Sequence, residues 1–192
     1  MKDTPRCGWC LGHNDYIRYH DQEWGVPVKD DEKLFEFLTL ESFQAGLSWI
    51  TVLRKRERFR KVLDGFDYKK IANYNDQDID RLIQDKGIIR NRLKIKAVIS
   101  NAKAFMDVQN EFGSFSTFIW SYVNNIPLHN AWTSTSEIPS NTPLSDQISK
   151  DLKQRGFKYV GSTIVYAHMQ ATGMVNDHLI NCFRYKELIE VG

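Results

Sequence analysis

The stretch Lys153-Gln154-Arg155-Gly156-Phe157-Lys158-Tyr159-Val160-Gly161-Ser162-Thr163 places a short turn, with a glycine at each end, between two predicted helices. The first of these helices begins at Thr142-Pro143, where threonine can cap the helix and proline suits the first helical position. Glycine lets backbone amides approach a ligand closely, and the amides that open the second helix favour an anion such as phosphate. An ordinary helical hairpin with a solvated basic face is the alternative interpretation.

Helical periodicity continues on the N-terminal side of this hairpin. Apolar residues recur at helical spacing after Asp30-Asp31, after Ser48 and after Asp76, all of which suit the start of a helix. Alternating strand patterns are scarce, and only the stretch 124–141, rich in Ser, Thr, Asn and Pro, indicates a long loop. The sequence therefore predicts a compact all-α fold, with residues 1–192 forming a single domain.

The composition is that of an ordinary soluble globular protein. The chain has 192 residues, of which 42% are hydrophobic and 26% charged, and its formal net charge is only +2. No apolar run reaches the length of a membrane span or of a signal-peptide core, so no membrane association is expected. Three cysteines cannot build a disulfide framework, which favours a reducing, cytoplasmic location. Any affinity for nucleic acid must come from local basic patches.

Two cysteine–histidine pairs lie at opposite ends of the chain, and they consist of Cys7, His20, His178 and Cys182. The four-residue spacing of the second pair predicts that both side chains share one face of a helix. Two thiolates and two imidazoles suit tetrahedral zinc at a closed, structural site, which would tie the N-terminal segment to the C-terminal helix. Free core thiols, a redox pair formed with Cys10, or a ligand set that includes His13 are the alternatives.

A carboxylate and several aromatic rings are expected to share one cavity. Glu41 ends one predicted helix, a turn containing Gly46-Leu47 follows, and Trp49 opens the next helix. Taken alone, such a glutamate is more often a surface group and such a tryptophan a core residue. Four further rings crowd the N-terminal segment, namely Trp9, Tyr16, Tyr19 and Trp24. Stacked rings with a carboxylate suit a flat, positively charged ligand.

Six segments, in order along the chain, together resemble the 3-methyladenine DNA glycosylase I family. They are Cys-Gly-Trp at 7–9, Tyr-His-Asp-Gln-Glu-Trp-Gly-Val-Pro at 19–27, Gln-Ala-Gly-Leu-Ser-Trp at 44–49, Lys-Gly-Ile-Ile-Arg at 86–90, Gly-Phe-Lys-Tyr-Val-Gly-Ser-Thr at 156–163, and Val-Asn-Asp-His at 175–178. Each segment is weak by itself, but the set is highly specific and spans nearly the whole chain. Ser42, where the family pattern has glycine, and Cys10 depart from it.

The resemblance implies a helix-hairpin-helix glycosylase with one structural zinc ion on Cys7, His20, His178 and Cys182. It implies that Glu41 is the catalytic and base-recognising carboxylate, in a base-binding pocket with Trp9, Tyr16, Tyr19, Trp24 and Trp49. DNA would be contacted by an apolar probe at Gly46 and Leu47, and by the hairpin residues Lys153, Arg155, Gly156, Lys158, Gly161, Ser162 and Thr163. Asp177 follows the hairpin where related enzymes carry a catalytic aspartate, but its position beside His178 favours a supporting role.

The implied activity is hydrolysis of the N-glycosidic bond of 3-methyladenine in double-stranded alkylated DNA, by a monomeric enzyme. The free base would be released and an abasic site left, without strand cleavage because no lysine stands out as a Schiff-base nucleophile. A non-catalytic, zinc-stapled module that binds DNA lesions is the alternative. A zinc-dependent nucleobase deaminase is disfavoured, because the chain contains no His-x-Glu motif.

Overall fold

The computed structural model describes residues 4–191, and these residues are predominantly helical, with 61% helix and 2% strand. The prediction of an all-α fold is confirmed. The α-helices of the described residues are α1 (Asn14–Gln22), α2 (Asp31–Gln44), α3 (Trp49–Leu53), α4 (Arg56–Val62), α5 (Tyr68–Ile71), α6 (Asp76–Gln84), α7 (Arg92–Phe112), α8 (Phe115–Ser121), α9 (Pro143–Gln154), α10 (Ser162–Ala171) and α11 (Phe183–Val191). Short 3-10 helices lie at Gly8–Cys10, Asp64–Phe66 and Thr135–Glu137.

Local capping signals start several of these helices. The Asp30 side chain accepts a hydrogen bond from the backbone N–H of Lys33 and so begins α2. Asn75 forms a reciprocal capping box with Asp78 at the start of α6. Thr142 caps α9 in the same way, with proline at the first turn. Each such cap satisfies backbone donors that would otherwise lack partners and stabilises its helix by about 1 kcal/mol.

The stretch 124–141 is mostly irregular, as its composition predicts, but it is anchored by a short strand. Strand β1 (Leu128–His129) pairs in parallel with β2 (Val175–Asn176), which lies just after α10. The 3-10 helix Thr135–Glu137 follows and is held by a capping box from Ser134. The long connection is therefore fixed against the segment that follows α10.

One prediction about the C-terminal segment is wrong. His178 and Cys182 do not share a helical face, because both precede α11, which begins at Phe183. The Asn176 side chain accepts from the backbone N–H of His178, and the N–H of Cys182 donates to the carbonyl of Leu179. These local bonds fold the segment into consecutive turns instead of a helix.

The core consists of two hydrophobic clusters that meet at α2. In the larger one, the rings of Phe35, Phe105 and Phe115 pack together, and each buried ring stabilises the fold by roughly 1.5–3 kcal/mol. The smaller cluster contains Cys7, Tyr19, Trp24, Phe37, Ala171, Leu179 and Cys182. Because α2 is buried from Leu34 to Phe43, it carries Glu41 into the interior between the two clusters. Within the described part of the chain, none of the helices is long and apolar enough to cross a membrane.

Candidate functional site

Four buried side chains from the two ends of the chain form a cluster that could bind a metal ion. The ligand atoms of Cys7, His20, His178 and Cys182 all lie within 4.8 Å of one another. The Cys182 Sγ lies 3.4 Å from His20 Nε2 and 3.5 Å from His178 Nδ1, and the Cys7 Sγ lies 3.7 Å from His178 Nδ1. The predicted convergence of these four residues is confirmed, although the turn rather than a helix brings the second pair together.

The remaining ring nitrogens of both histidines have partners of their own. His20 Nδ1 lies 2.8 Å from the Asp21 carboxylate, and His178 Nε2 lies 3.0 Å from the Trp24 carbonyl. Both partners are acceptors, so each ring donates on this side and directs its other nitrogen, as an acceptor, into the cluster. Cys10 lies outside the cluster, because its buried Sγ donates to the Cys7 carbonyl instead.

The two cluster thiols are electrostatically unequal. The hydrogen bond with Cys7 is the main reason that the pKa of Cys182 lies well below its usual range. The hydrogen bond with Cys182, followed by burial, raises the pKa of Cys7 far above it. Because a metal ion binds thiolates, its binding at this cluster would oppose the raised pKa of Cys7 and release a proton.

A cavity of about 330 Å³ opens beside this cluster. Its walls come from the N-terminal segment, from the end of α2 and start of α3, from the long connection, and from α10. The lining residues are Trp9, Tyr19, Trp24, Glu41, Gln44, Trp49, Thr135, Ile138, Pro139, Ala167 and Gln170. Of the six residues predicted to bind a base, the structure brings Trp9, Tyr19, Trp24, Glu41 and Trp49 to this cavity.

Tyr16, the sixth residue, does not line the cavity but contacts residues beside it. Its hydroxyl oxygen accepts a hydrogen bond of 2.8 Å from the backbone N–H of Ile50, next to Trp49. Its ring packs edge-on against Trp9, with a centroid separation of 5.5 Å. Trp9 in turn lies 5.0 Å from the ring of Trp24. Tyr16 therefore braces two walls of the cavity at once.

Glu41 is the ionisable group of the cavity. The residue is 3% exposed, and its Oε2 is buried without a hydrogen-bond partner among the described residues. Burial without compensation disfavours the charged form, and it raises the pKa of Glu41 to about 8. The indole N–H of Trp49 is also buried, and no described residue accepts a hydrogen bond from it. The cavity thus holds two buried polar atoms that form no hydrogen bond with the described residues. Such atoms are rare in folded proteins and call for an explanation.

A second buried carboxylate, Asp177, lies behind α10. Its Oδ1 accepts from the side chains of Asn130 and Trp132, at 2.7 Å each. Its Oδ2 accepts from the Tyr166 hydroxyl at 2.6 Å and from Gln170 Nε2 at 2.8 Å. Gln170 is also a cavity residue, so Asp177 is connected to the cavity through it. No motif in the sequence singles out Gln170 or Trp132.

The exposed turn at the cavity rim is fixed from below. Leu47 is 41% exposed, and Gly46 beside it is also exposed. The buried Lys94 ammonium donates to the carbonyls of Phe43 and Ala45, at 2.9 and 2.7 Å. It thereby satisfies carbonyls at the C-terminal end of α2 and holds the start of the turn. Burial lowers the pKa of Lys94. In the sequence, Lys94 is marked only by its position beside the apolar face of α7.

The predicted hairpin joins α9 to α10 and is clamped to α7. Asn101, which is buried, accepts from the Lys158 N–H at 2.7 Å and donates to its carbonyl at 3.0 Å. Gly156 has φ +92°, which favours glycine. Gly161 has an ordinary φ of −60°, and a Cβ there would meet no atom within 4 Å. Neither the backbone conformation nor the packing around it therefore requires glycine at 161.

The charged groups of the hairpin differ in availability. Lys153 and Lys158 are exposed, and Lys153 lines an open groove together with Ser162. Arg155 instead forms ion pairs with Glu111 and Asp151. Its guanidinium is committed within the protein, so its predicted contact with DNA would require those pairs to rearrange. Thr163 is exposed at the first turn of α10.

Comparison with known proteins decides the family. The family described as methyladenine glycosylase matches residues 9–185. The chain belongs to this family. It is 52% identical over 180 residues to DNA-3-methyladenine glycosylase 1 of Escherichia coli K12, which covers 94% of the chain and 96% of the relative.

Solved structures agree with the methyladenine glycosylase assignment. A crystal structure of 3-methyladenine DNA glycosylase I superposes with a TM-score of 0.91 at 51% identity, covering 93% of this chain and 98% of that one. The Staphylococcus aureus 3-methyladenine DNA glycosylase I, described for its recognition of 3-methyladenine, superposes with a TM-score of 0.91 at 37% identity, covering 94% and 96%. The fold implied by the sequence resemblance is thus the fold of the family.

Proposed function

We propose that this protein is a DNA-3-methyladenine glycosylase of base excision repair. It hydrolyses the N-glycosidic bond of 3-methyladenine in double-stranded alkylated DNA, releases the free base and leaves an abasic site. The observation that carries this proposal is Glu41, a carboxylate with an unpartnered oxygen in an aromatic cavity. The names of the relatives, which are DNA-3-methyladenine glycosylases, support the same substrate.

The cavity suits a flat cation. Methylation at N3 places a formal positive charge on adenine, weakens its pairing and so lowers the cost of flipping it out of the duplex. Inside the cavity the rings of Trp9, Trp24 and Trp49 supply stacking surface and cation–π attraction. A bound cation lowers the pKa of Glu41 again, because the charged carboxylate then has a partner. Burying Glu41 therefore favours the cationic base over neutral purines, which leave the carboxylate unpaired.

The bond to be broken needs little acid catalysis. The methylated base already carries a positive charge and leaves readily as a neutral purine. Cleavage develops positive charge on the deoxyribose, as in other glycosyl transfers, and water then adds to the sugar. Glu41 and the DNA phosphates stabilise this charge electrostatically. Strand cleavage is not expected, because none of the described residues that line the cavity is a lysine, and the Lys94 ammonium beneath the Gly46 turn is bonded to two backbone carbonyls.

The four-residue cluster fits one structural zinc ion. Tetrahedral zinc with sulfur and nitrogen ligands has S–N edges of about 3.6 Å, given bond lengths of about 2.3 and 2.0–2.1 Å. Three of the four S–N separations of the cluster, at 3.4, 3.5 and 3.7 Å, match this value. Four protein ligands leave no open position for water, so the ion would stabilise the fold and take no part in hydrolysis. It would fasten the segment bearing Trp9 and Trp24 to the turn at 178–182.

DNA would be engaged at two places. The backbone amides that open α10, with Gly161, Ser162 and Thr163, would bind phosphate, assisted by the exposed Lys153 and Lys158. The exposed Leu47 with Gly46 would occupy the gap that the flipped nucleotide leaves. The contact assigned to Arg155 stays a prediction. We further propose that residues 1–192 act as one domain and as a monomer, and a cytoplasmic location remains a prediction from the cysteine count.

The test is base release from DNA treated with a methylating agent, with the released bases separated by chromatography. We expect free 3-methyladenine and abasic sites without strand breaks. Elemental analysis of the same folded sample should give one zinc per chain, and substitution of Cys182 by serine should lower that content. Absence of base release from folded, zinc-containing protein that still binds methylated DNA would instead support a non-catalytic lesion-binding module.

A further inference from the structure

The amide of Gln170 has a fixed direction. Its Nε2 lies 2.8 Å from Asp177 Oδ2, and a carboxylate oxygen can only accept from it. The second carboxylate oxygen is held by Trp132 Nε1, which can only donate, and by Asn130 Nδ2. Tyr166 donates to the same oxygen as Gln170. Donors therefore bind both carboxylate oxygens of Asp177. If the amide of Gln170 were turned over, its Oε1 would face Asp177 Oδ2, and two acceptors would meet without a proton between them.

The backbone of Gln170 is also held in place. Its carbonyl accepts a hydrogen bond of 3.1 Å from the N–H of Gly25, which follows the cavity residue Trp24. Gln170 lines the cavity, one helical turn after Ala167. Its Oε1 has no hydrogen-bond partner among the described residues, since its one side-chain bond is made by Nε2. The amide oxygen is therefore the atom of this side chain that is free to meet a ligand.

We propose that Gln170, oriented by Asp177, is a specificity-determining residue that selects adenine over guanine among N3-methylated purines. Its Oε1 acts as a fixed acceptor for the exocyclic amino group at C6. Guanine carries a carbonyl oxygen at that position, which would face Oε1 acceptor to acceptor. This proposal rests on the proposed function and adds to it the discrimination between two alkylated bases.

The hydrogen bonding of Glu41 depends on its charge state. In the protein without ligand, burial raises its pKa to about 8, so its carboxyl group can take up a proton and donate, whereas beside a bound cation it is ionised and only accepts. The amide of Gln170 cannot change in this way, because Asp177 holds its Nε2. A site that presents a fixed acceptor rejects a base with the wrong group there, since both acceptors lose their partners.

The decisive variant is Gln170→Met, which keeps the length of the side chain and removes the acceptor. The measurement is the ratio of single-turnover release rates of 3-methyladenine and 3-methylguanine from one sample of methylated DNA. We expect the ratio to fall on the order of tenfold, as expected for loss of one discriminating hydrogen bond. Because both rates come from the same protein sample, a general loss of folded enzyme cancels. Gln84→Met, at an exposed position of α6, is the matched control and should leave the ratio unchanged.

A second variant tests the role of Asp177 in orienting the amide. Asp177→Asn can donate to Gln170, so it permits the amide to turn over and should lower the ratio as well. In the Gln170→Met background, Asp177→Asn should leave the ratio where Gln170→Met set it. An unchanged ratio in Gln170→Met, with wild-type release of 3-methyladenine intact, overturns the inference and leaves the proposed function standing. Failure of the wild-type protein to release either base overturns both.

Discussion

Two buried carboxylates of this fold, Asp177 and Glu41, differ sharply in the hydrogen bonds that they accept. Asp177 is 1% exposed and accepts hydrogen bonds from four side chains. Glu41 is 3% exposed, and its Oε2 accepts none from the described residues. A buried carboxylate with four donors stabilises the structure around it, whereas one without donors destabilises the free protein. Asp177 therefore has a structural role, and Glu41 is the carboxylate available to a ligand.

The largest expected effect is on base excision. Glu41→Gln removes the negative charge that balances the cationic base and the developing charge on the sugar, so the release rate of 3-methyladenine should fall by at least roughly 100-fold. The measurement is the single-turnover release rate at saturating enzyme. Glu32→Gln, at an exposed position of the same helix, is the control and should keep the wild-type rate. Unimpaired release by Glu41→Gln would remove the catalytic assignment.

The largest effect on stability should come from the other carboxylate. Asp177→Ala leaves the donors of Asn130, Trp132, Tyr166 and Gln170 without their acceptor, and it should lower the free energy of unfolding by about 3–5 kcal/mol. The midpoint of urea denaturation measures this change. Asp80→Ala, which removes an exposed partner of Arg92, should stay within about 0.5 kcal/mol of wild type. Equal effects of the two substitutions would mean that the Asp177 network does not stabilise the fold.

The pH dependence of stability should distinguish the two carboxylates further. The folded-state pKa of Glu41, about 8, lies above the ordinary value of 4.5, so between these pH values the folded state binds more protons than the unfolded state. Its contribution to stability is fully present below pH 4.5 and is lost as the pH rises through 8. The wild-type protein should therefore lose on the order of 4 kcal/mol, relative to Glu41→Gln, across this range. Parallel pH profiles of the two proteins would contradict the raised pKa.

The smallest effect concerns a single donor to Asp177. Tyr166→Phe removes one of the four hydrogen bonds that Asp177 accepts, without changing the size of the aromatic ring. We expect the free energy of unfolding to fall by about 1 kcal/mol. The release rate of 3-methyladenine should be unchanged, because Gln170 keeps its own bond to Asp177. Thermal denaturation with a parallel rate measurement checks both parts. A larger effect on rate than on stability would place Tyr166 in the binding site instead.

The fold could be predicted from the sequence because its signals are local. The caps at Asp30 and Thr142, and the glycines of the hairpin, act within a few residues of the backbone they control. The same locality explains the error at the C-terminal end. A spacing of four residues is shared by a helix and by the consecutive turns that hold His178 and Cys182, so spacing alone could not separate them.

The site could be predicted only in part, for a different physical reason. The aromatic rings and Glu41 stand out by residue type, and most of them meet in one cavity. The groups that orient them do not stand out, because their partners are remote: Asn101 clamps Lys158, 57 residues away, and Lys94 holds Phe43, 51 residues away. The roles of Asp177 and Gln170 likewise follow from contacts with a distant segment. Such contacts are properties of the assembled fold and leave little trace in local pattern.

The cluster of Cys7, His20, His178 and Cys182 can form only after nearly the whole chain has been synthesised. Cys182 follows Glu41 by 141 positions, so His178 and Cys182 are synthesised long after the cavity residue Glu41. At rates of about 5–20 residues per second, the intervening stretch takes roughly 7–30 s to translate. Throughout that interval the segment carrying Trp9 and Trp24 lacks its attachment to residues 178–182. A ribosome-bound chain that stops short of His178 should therefore bind no base, even though it already contains Glu41 and Trp49.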